Sequence, residues 1–209
     1  MRNDTPNVLD KSLWLSFLEG NKSSYADIYQ AYFPLLYEYG IRLCKDAELV
    51  KDCIQDLFIK LWVNRNNLQS TTSIKPYLLT ALKTTIINRL DQKRRMLARA
   101  DYAAELCAFE LNYMNAEDSL IQDDGKRIRS TQLKSALNNL TERQKECIFL
   151  RFYMGMEYSE IADLMNISVK ACYKIIGRAI GVMREYFKEI ATYSYLLLFL
   201  IIMALSDLH

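Results

Sequence analysis

The chain has 209 residues, of which 51% are hydrophobic and 25% are charged, and its formal net charge at pH 7 is +2. This composition is typical of a globular protein with one or two small cores, and any affinity for nucleic acid must come from local patches. The single histidine is the last residue, His209, which nearly excludes a histidine-based catalytic site or a zinc site with histidine ligands.

Five cysteines are present, and no two of them form a C-x-x-C pair. We interpret them as reduced, buried residues of a cytoplasmic protein, with a redox or metal role as the alternative. The polar start, MRNDTPNVLDK, predicts no secretory signal. Because there are only three prolines and six glycines, we expect an all-α chain. We predict neither a cofactor nor a bound metal. The cysteines are Cys44, Cys53, Cys107, Cys147 and Cys172.

The first helical stretch, SLWLSFLEG, is short and apolar and is predicted to end at Gly20. Residues 25–44 then carry apolar side chains at spacings of three and four, which predicts a helix with one buried stripe. Pro34 falls within this pattern and predicts a kink or a break. The stripe consists of Tyr25, Ile28, Tyr29, Tyr32, Phe33, Leu36 and Tyr37.

Residues 46–65 predict a further helix with two distinct rows of side chains. The charged row contains Asp52, Asp56 and Lys60, which fall four residues apart. Such a row is either a solvated face or a binding face, and the spacing alone leaves both interpretations open. The apolar row consists of Leu49, Cys53, Leu57 and Leu61, with Ile54 and Phe58 beside it.

Residues 66–76 are rich in serine, threonine and asparagine and predict a loop, after which a helix resumes. From Lys83 to Arg99 this helix carries six cations and one anion, Asp91. The run is either a solvated face or, because it follows a polar loop, a surface that contacts a nucleic-acid backbone. The cations are Lys83, Arg89, Lys93, Arg94, Arg95 and Arg99.

An acidic segment then predicts a linker between two helical domains. We expect a first domain over 12–96, the linker over 97–128, a second domain over 129–188 and an apolar C-terminal tail over 189–209. Within the second domain, a helix is predicted to begin after a break at Thr141 and to end at Gly155. The linker carboxylates are Asp101, Glu105, Glu110, Glu117, Asp118, Asp123 and Asp124.

The segment YSEIADLMNISVKACYKIIGRAI, 158–180, joins an acidic helix to a basic one. Ser168 is the predicted N-cap of the second helix, which carries three cations and no anion. This pattern predicts a helix-turn-helix whose second helix faces an anionic polymer, with a helix hairpin inside a bundle as the alternative. The outward face is predicted to contain Ser168, Val169, Lys170, Tyr173, Lys174 and Arg178.

Together these segments resemble bacterial RNA polymerase sigma factors of the sigma-70 family, in the extracytoplasmic-function (group IV) class. AELVKDCIQDLFIKLW resembles the region 2 signature, SIKPYLLTALKTTIINRLDQKRR the promoter-melting stretch, and residues 137–180 resemble region 4. The resemblance covers about residues 12–188. It departs where Thr141 replaces a usual proline, where Thr84 replaces a common asparagine, and where Gly177 loosens the recognition helix.

The resemblance implies a non-enzymatic transcription initiation factor that binds core RNA polymerase and directs it to promoters. The residues implied to grip the polymerase clamp helices are Asp52, Gln55, Asp56, Lys60 and Trp62. Those implied to read and melt the −10 element are Ser70, Thr71, Thr72, Ser73, Lys83, Thr84, Asn88, Arg89, Lys93 and Arg94. Those implied to read the −35 element are Ser168, Val169, Lys170, Ala171, Tyr173, Lys174 and Arg178.

The same resemblance implies that the acidic linker threads the basic RNA path of the polymerase. Two rival interpretations stay open. A helix-turn-helix regulator would explain 158–180 but not the region 2 signature, and a helical partner-binding protein would explain the apolar stripes but not the basic helix. An enzyme is least expected, because the chain has neither a glycine-rich phosphate loop nor a nucleophile–base pair.

The tail, 190–206, contains seventeen residues without a charge. As a helix it would span about 26 Å, close to the ~30 Å thickness of a hydrocarbon core. Arg184 and Lys188 precede it, as suits a cytoplasmic flank. Two interpretations follow: the tail tethers a cytoplasmic factor to the inner membrane, or it packs against a protein partner or a second copy of the chain. An anti-sigma factor or another protein is a possible partner of the chain.

Overall fold

Every regular element in the described part of the computed structural model is helical, as the sequence predicted. The structure describes residues 7–69, 71, 73–97, 109, 111 and 124–206. These residues form two compact units. The first contains the described residues before position 111 together with 159–167, and the second contains the remaining described residues.

Four helices and a short 3₁₀ turn build most of the first unit. They are α1 Asn7–Leu18, α2 Lys22–Leu43, α3 Ala47–Val63, the turn Arg65–Asn67, and α4 Ile74–Leu97. Gly20 ends the first helical stretch with φ of 89°, a conformation that glycine adopts without strain. Asn21 caps α2 by accepting from the amide of Ser23 at 2.9 Å, and Asp46 caps α3 by accepting from the amide of Leu49 at 3.0 Å.

The predicted apolar rows form the core of the first unit. On α3, all six predicted apolar residues are buried. On α2, the buried side of the stripe includes Ile28, Tyr32 and Leu36. A β-carbon at Gly40 would lie 2.5 Å from Cγ1 of Val50, so a larger residue at this position would push α2 and α3 apart.

Two predictions about this unit need correction. Pro34 was predicted to kink or break its helix, and the break is not present, because α2 runs from Lys22 to Leu43 with Pro34 inside it. The loop predicted over 66–76 is shorter, because α4 already begins at Ile74. Pro76 therefore lies in the first turn of α4, where its missing amide hydrogen breaks no helical hydrogen bond.

The second unit contains most of the remaining helices. In chain order they are α5 Asp124–Asn138, α6 Glu142–Ile148, a π-helical turn Phe149–Tyr153, α7 Tyr158–Met165, whose residues from 159 group with the first unit, and α8 Val169–Ser206. Thr141 caps α6 in a reciprocal capping box with Gln144, which confirms the predicted helix start. Gly155 lies at φ of 65°, as expected for a helix stop.

The described cysteines are buried and free, and Cys107 lies outside the described residues. The tail continues α8 as a single helix to Ser206. The membrane-tether interpretation is not supported, because none of the helices within the described residues is long and apolar enough to cross a membrane. Most of the predicted linker is outside the described residues, and α5 begins inside its predicted range, at Asp124.

Candidate nucleic-acid interface

The outward side of α3 carries the residues predicted to bind a protein partner. Asp52, Gln55 and Lys60 are exposed, whereas Asp56 is half-buried. The apolar row on the opposite side of the helix is in the core, so packing fixes which way this charged row points. The result is a polar ridge along α3 that is open to a partner.

Trp62 differs from the others in this predicted set because its half-buried ring contacts aromatic side chains of α1 and α2. Its ring lies 5.1 Å from Tyr25 and 6.4 Å from Phe17, and the Arg65 guanidinium stacks 4.6 Å from its centroid. The Arg65 Nη1 also donates to the carbonyl of Trp62 at 2.9 Å. These contacts hold the C-terminal end of α3 against α1 and α2. Trp62 therefore stabilises the packing of this helix end, a role that the sequence did not predict.

Two of the predicted DNA-binding cations on α4 form ion pairs with acids at α3. Arg89 Nη2 donates to Asp56 Oδ2, and Lys93 Nζ lies 3.1 Å from Asp46 Oδ2. The hydrogen bond to Asp56 raises the pKa of Arg89. Arg89, Lys93 and Asp46 line a cleft of about 310 Å³, whose lining also includes Asp52. An acid predicted to bind polymerase is thus already paired with a cation predicted to bind DNA.

The other predicted residues of α4 are distributed differently. Thr84 and Asn88 are exposed, and the Thr84 hydroxyl donates to the carbonyl of Thr80 at 2.9 Å. Lys83 is half-buried, with its Nζ 3.4 Å from the sulfur of Met165 in the same compact unit. Arg94 lies in the helix, but its side chain is outside the described part of the structure.

The loop before α4 is described at Thr71 and Ser73, while the predicted Ser70 and Thr72 lie outside the described residues. The Thr71 hydroxyl donates to the carbonyl of Ser73 at 3.1 Å and accepts from its amide at 3.2 Å. These two hydrogen bonds lie directly before the first residue of α4, Ile74. Sequence reasoning missed a second anchor, the Trp14 indole, which donates to the carbonyl of Gln69 at 3.1 Å.

The turn between α7 and α8 has the backbone of a tight helix connection. Asn166 takes a left-handed conformation with φ of 51°, and the amide of Ile167 donates to the carbonyl of Ala162 at 2.9 Å. The Ser168 hydroxyl then accepts from the amide of Ala171 at 3.2 Å, which confirms Ser168 as the N-cap. This cap sets the first turn of α8 and therefore which of its residues point outward.

Most of the predicted face of α8 is open to solvent. Cys172 and Ile176 are buried on the other side, which fixes the rotation of the helix about its axis. Ala171 is half-buried, and the exposed predicted residues are Ser168, Val169, Lys170, Tyr173, Lys174 and Arg178. No ion pair joins Lys170, Lys174 or Arg178 to another residue that the structure describes.

Aromatic stacking supports the N-terminal part of this face. The ring of Tyr173 stacks on Tyr158 with centroids 3.9 Å apart, and the Arg151 guanidinium lies 4.7 Å from the Tyr158 centroid. Arg151 Nη1 also donates to the carbonyl of Met156 at 2.7 Å. Tyr158 and Arg151 were missed by sequence reasoning, since nothing in helical spacing indicates a contact across the turn.

Two family matches cover these surfaces. Residues 28–96 match Sigma-70 region 2, and residues 130–181 match Sigma-70, region 4. The chain is a sigma factor of the sigma-70 family. The region 2 match contains α3 and α4 with their ion pairs, and the region 4 match contains the helix-turn-helix with its exposed basic face.

Related proteins place this sigma factor in the extracytoplasmic-function class. It is 25% identical over 161 residues to the RNA polymerase sigma factor YlaC of Bacillus subtilis, covering 76% of this chain and 89% of that protein. It is 24% identical to the ECF RNA polymerase sigma factor SigK of Mycobacterium ulcerans, covering 78% and 82% of the two chains.

Two solved structures share the fold. One is the sigma factor RpoE in complex with the anti-sigma factor NepR from Bartonella quintana, with a TM-score of 0.56, 20% identity, and coverage of 78% of this chain and 96% of that one. The other is CnrH in complex with the cytosolic domain of CnrY, with a TM-score of 0.56, 18% identity, and coverage of 86% and 97%. The sigma factor is thus a transcription initiation factor that directs core RNA polymerase to promoters.

Proposed function

We propose that the outward face of α8, residues 168–178, enters the major groove at the −35 element. The observation that carries this proposal is the set of exposed cations Lys170, Lys174 and Arg178, spaced four residues apart on a helix whose other side is buried. A helix of this kind fits the major groove, and cations that make no ion pair with described residues can contact phosphate and base edges. Tyr173, held by its stack on Tyr158, adds a rigid apolar contact to the same face.

The first unit has two proposed tasks. The ridge of α3, with Asp52, Gln55, Asp56 and Lys60, binds the clamp helices of core polymerase. The loop 69–73 and the cations of α4 hold and melt the −10 element, because short hydroxyl side chains can hydrogen-bond a base that has left the stack while cations hold its backbone. Trp62 contributes indirectly, by supporting the end of α3.

A promoter footprint tests the whole assignment. Purified sigma factor and core polymerase are assembled on a promoter that the factor recognises, and protection from nuclease is mapped together with permanganate reactivity of unpaired thymines. We expect protection at −35 and reactive thymines at −10, both requiring sigma factor and core together. A wild-type complex without −35 protection would show that α8 serves another purpose.

An anti-sigma factor is a further proposed partner, supported by the similar structure of RpoE in complex with the anti-sigma factor NepR. The second unit offers an apolar groove of about 480 Å³ whose lining includes Leu133, Leu137, Phe152 and Ile180. Phe152 is 63% exposed and lies together with the other apolar side chains of this groove, so a partner could cover them as one patch. We expect Phe152→Glu to abolish co-purification of the inhibitor with tagged sigma factor, and equal recovery with wild type would move the inhibitor to another surface.

We further propose that the protein acts in the cytoplasm, where polymerase and promoter DNA are found. Cell fractionation with an antibody to the full chain tests the location.

We also propose that the protein has no enzymatic activity, and the state of its thiols supports this for cysteine-based catalysis. Burial raises the pKa of the Cys53 thiol to about 11, and burial also raises the pKa of Cys44 and Cys172. These thiols are protonated at neutral pH and are poor nucleophiles.

A further inference from the structure

The helix α1 lies before residue 28, where the region 2 match begins, yet it contacts the loop proposed to read the −10 element. The contact is made by Trp14, which is 1% exposed. Its indole Nε1 donates to the backbone carbonyl of Gln69 at 3.1 Å, across 55 residues of chain. An indole has a single donor, and here that donor is used on the first residue of the loop 69–73.

The same ring also contacts the far end of the loop. Tyr77, in the first turn of α4, packs against Trp14 edge-on with centroids 5.4 Å apart. Phe17 supports the ring from within the core at 5.1 Å. One side chain of α1 therefore touches the residue at which the loop leaves and the helical turn into which it returns.

We propose that Trp14 is a positioning residue for the −10 loop, acting through the Gln69 carbonyl and Tyr77. This inference rests on the proposed role of the loop in holding displaced bases. A loop that is mobile before it binds a base loses conformational entropy on binding. Contacts that fix both ends of the loop beforehand reduce this loss and favour binding. Helix α1 is then a functional part of region 2 in this chain, although it lies outside the matched residues.

The conservative variant Trp14→Phe separates positioning from packing, because phenylalanine keeps an aromatic ring in the core and removes the donor. Full-length variant and core polymerase are assembled into holoenzyme, and three quantities are measured: core affinity, melting temperature, and affinity for a fluorescent single-stranded −10 oligonucleotide. We expect oligonucleotide affinity to fall about two- to tenfold, the effect of one lost hydrogen bond, while core affinity stays within twofold. Tyr77→Leu, which removes the contact at the other end, should reproduce this selective loss.

The matched packing control is Leu36→Val, which perturbs the core of the same unit at a buried residue of α2 that is not part of the Trp14 aromatic cluster. We expect it to lower the melting temperature while leaving the ratio of oligonucleotide to core affinity unchanged. If Trp14→Phe changes that ratio no more than Leu36→Val does, the positioning role is wrong. The loop is tested separately with Thr71→Ala: if this variant binds the oligonucleotide like wild type, the proposed −10 role itself fails. If Thr71→Ala is impaired and Trp14→Phe is not, only the positioning role fails.

Discussion

The two basic surfaces of this sigma factor are prepared for DNA in different ways. On α8, Lys170, Lys174 and Arg178 are exposed and make no ion pair with the residues that the structure describes. On α4, Arg89 and Lys93 are each joined to an acid at α3. The face of α8 that we propose for −35 DNA can therefore meet phosphate directly, whereas Arg89 and Lys93, which we propose for −10 DNA, are already paired with acids.

Polymerase binding could break one of these ion pairs, because Asp56 lies on the proposed polymerase ridge. If a cation of polymerase pairs with Asp56 instead, Arg89 loses its partner and becomes available to bind DNA phosphate. Part-exposed ion pairs of this kind contribute little stability, in the range of about 0–1 kcal/mol. A pair of this strength can be exchanged on assembly, so we propose that it couples polymerase binding to −10 binding by no more than about 1 kcal/mol.

Reversing the charge of Asp56 should have the largest effect. Asp56→Lys places a cation beside Arg89 and removes an acid from the polymerase ridge, and such changes at a desolvated interface cost ~2–5 kcal/mol. We expect core affinity to fall at least about thirtyfold, measured by titrating labelled sigma factor with purified core. Asp27→Lys, an exposed reversal on α2, is the matched control. Normal core binding by both Asp52→Lys and Asp56→Lys would remove the polymerase site from α3.

The second-largest effect is expected on the outward face of α8, whose cations make no ion pair with the described residues. Lys170→Ala combined with Lys174→Ala should lower the slope of log affinity against log salt by about two, because each phosphate contact contributes about 0.9. Holoenzyme affinity for a −35 duplex, measured by fluorescence anisotropy over a salt series, gives this slope. Lys188→Ala on the same helix is the control, since Lys188 is paired with Glu185 at 2.9 Å. A slope equal to that of wild type would show that this face does not contact phosphate.

Asp46 allows the stability of the paired surface to be measured. It caps α3 and pairs with Lys93, and the hydrogen bond from the Leu49 amide, followed by Lys93, lowers its pKa. Asp46→Ala should cost about 0.5–2 kcal/mol of folding stability at pH 7, whereas Asp46→Asn keeps a capping oxygen and should cost less. Urea titrations of the three proteins give the difference.

The sign of the pH effect follows from the lowered pKa. The stabilisation by Asp46 is present above the unfolded carboxyl pKa of about 4 and is lost as the pH falls through the lower folded value. The difference in the free energy of unfolding between wild type and Asp46→Ala should therefore become smaller below about pH 4. A difference that is constant from pH 7 into this range would mean that the charge of Asp46 contributes nothing.

Helical periodicity and caps predicted most of this structure, because both are local. The buried row of α3, the cap at Ser168 and the stop at Gly155 each depend on residues within one or two turns. The helix start at Ile74 was predicted too late, because the residues directly before it, 70–73, are all serine or threonine and are typical of a loop. The outward face of α8 was predicted correctly as a face, since the burial of Cys172 and Ile176 decides which residues of this helix point outward.

Contacts between distant residues could not be predicted in the same way. The Arg89–Asp56 and Lys93–Asp46 pairs join residues 33 and 47 positions apart, and the Trp14–Gln69 bond joins residues 55 positions apart. Hydrophobic spacing gives the face of each helix but not its partner or its register against that partner. The predicted residues of α4 were therefore placed on a helix without the acids that bind them.

The smallest predicted effect tests the exchange itself. Arg89→Gln frees Asp56 of its intrachain partner, so core affinity should rise by about two- to fivefold, the size expected for a part-exposed pair. In holoenzyme the same variant should weaken binding to a −10 oligonucleotide, because the released cation is missing there. The charge-swapped double variant Asp56→Arg with Arg89→Asp restores the pair but should not restore core binding. Unchanged core affinity in Arg89→Gln would show that Arg89 and polymerase do not compete for Asp56, and the proposed exchange on assembly would then be wrong.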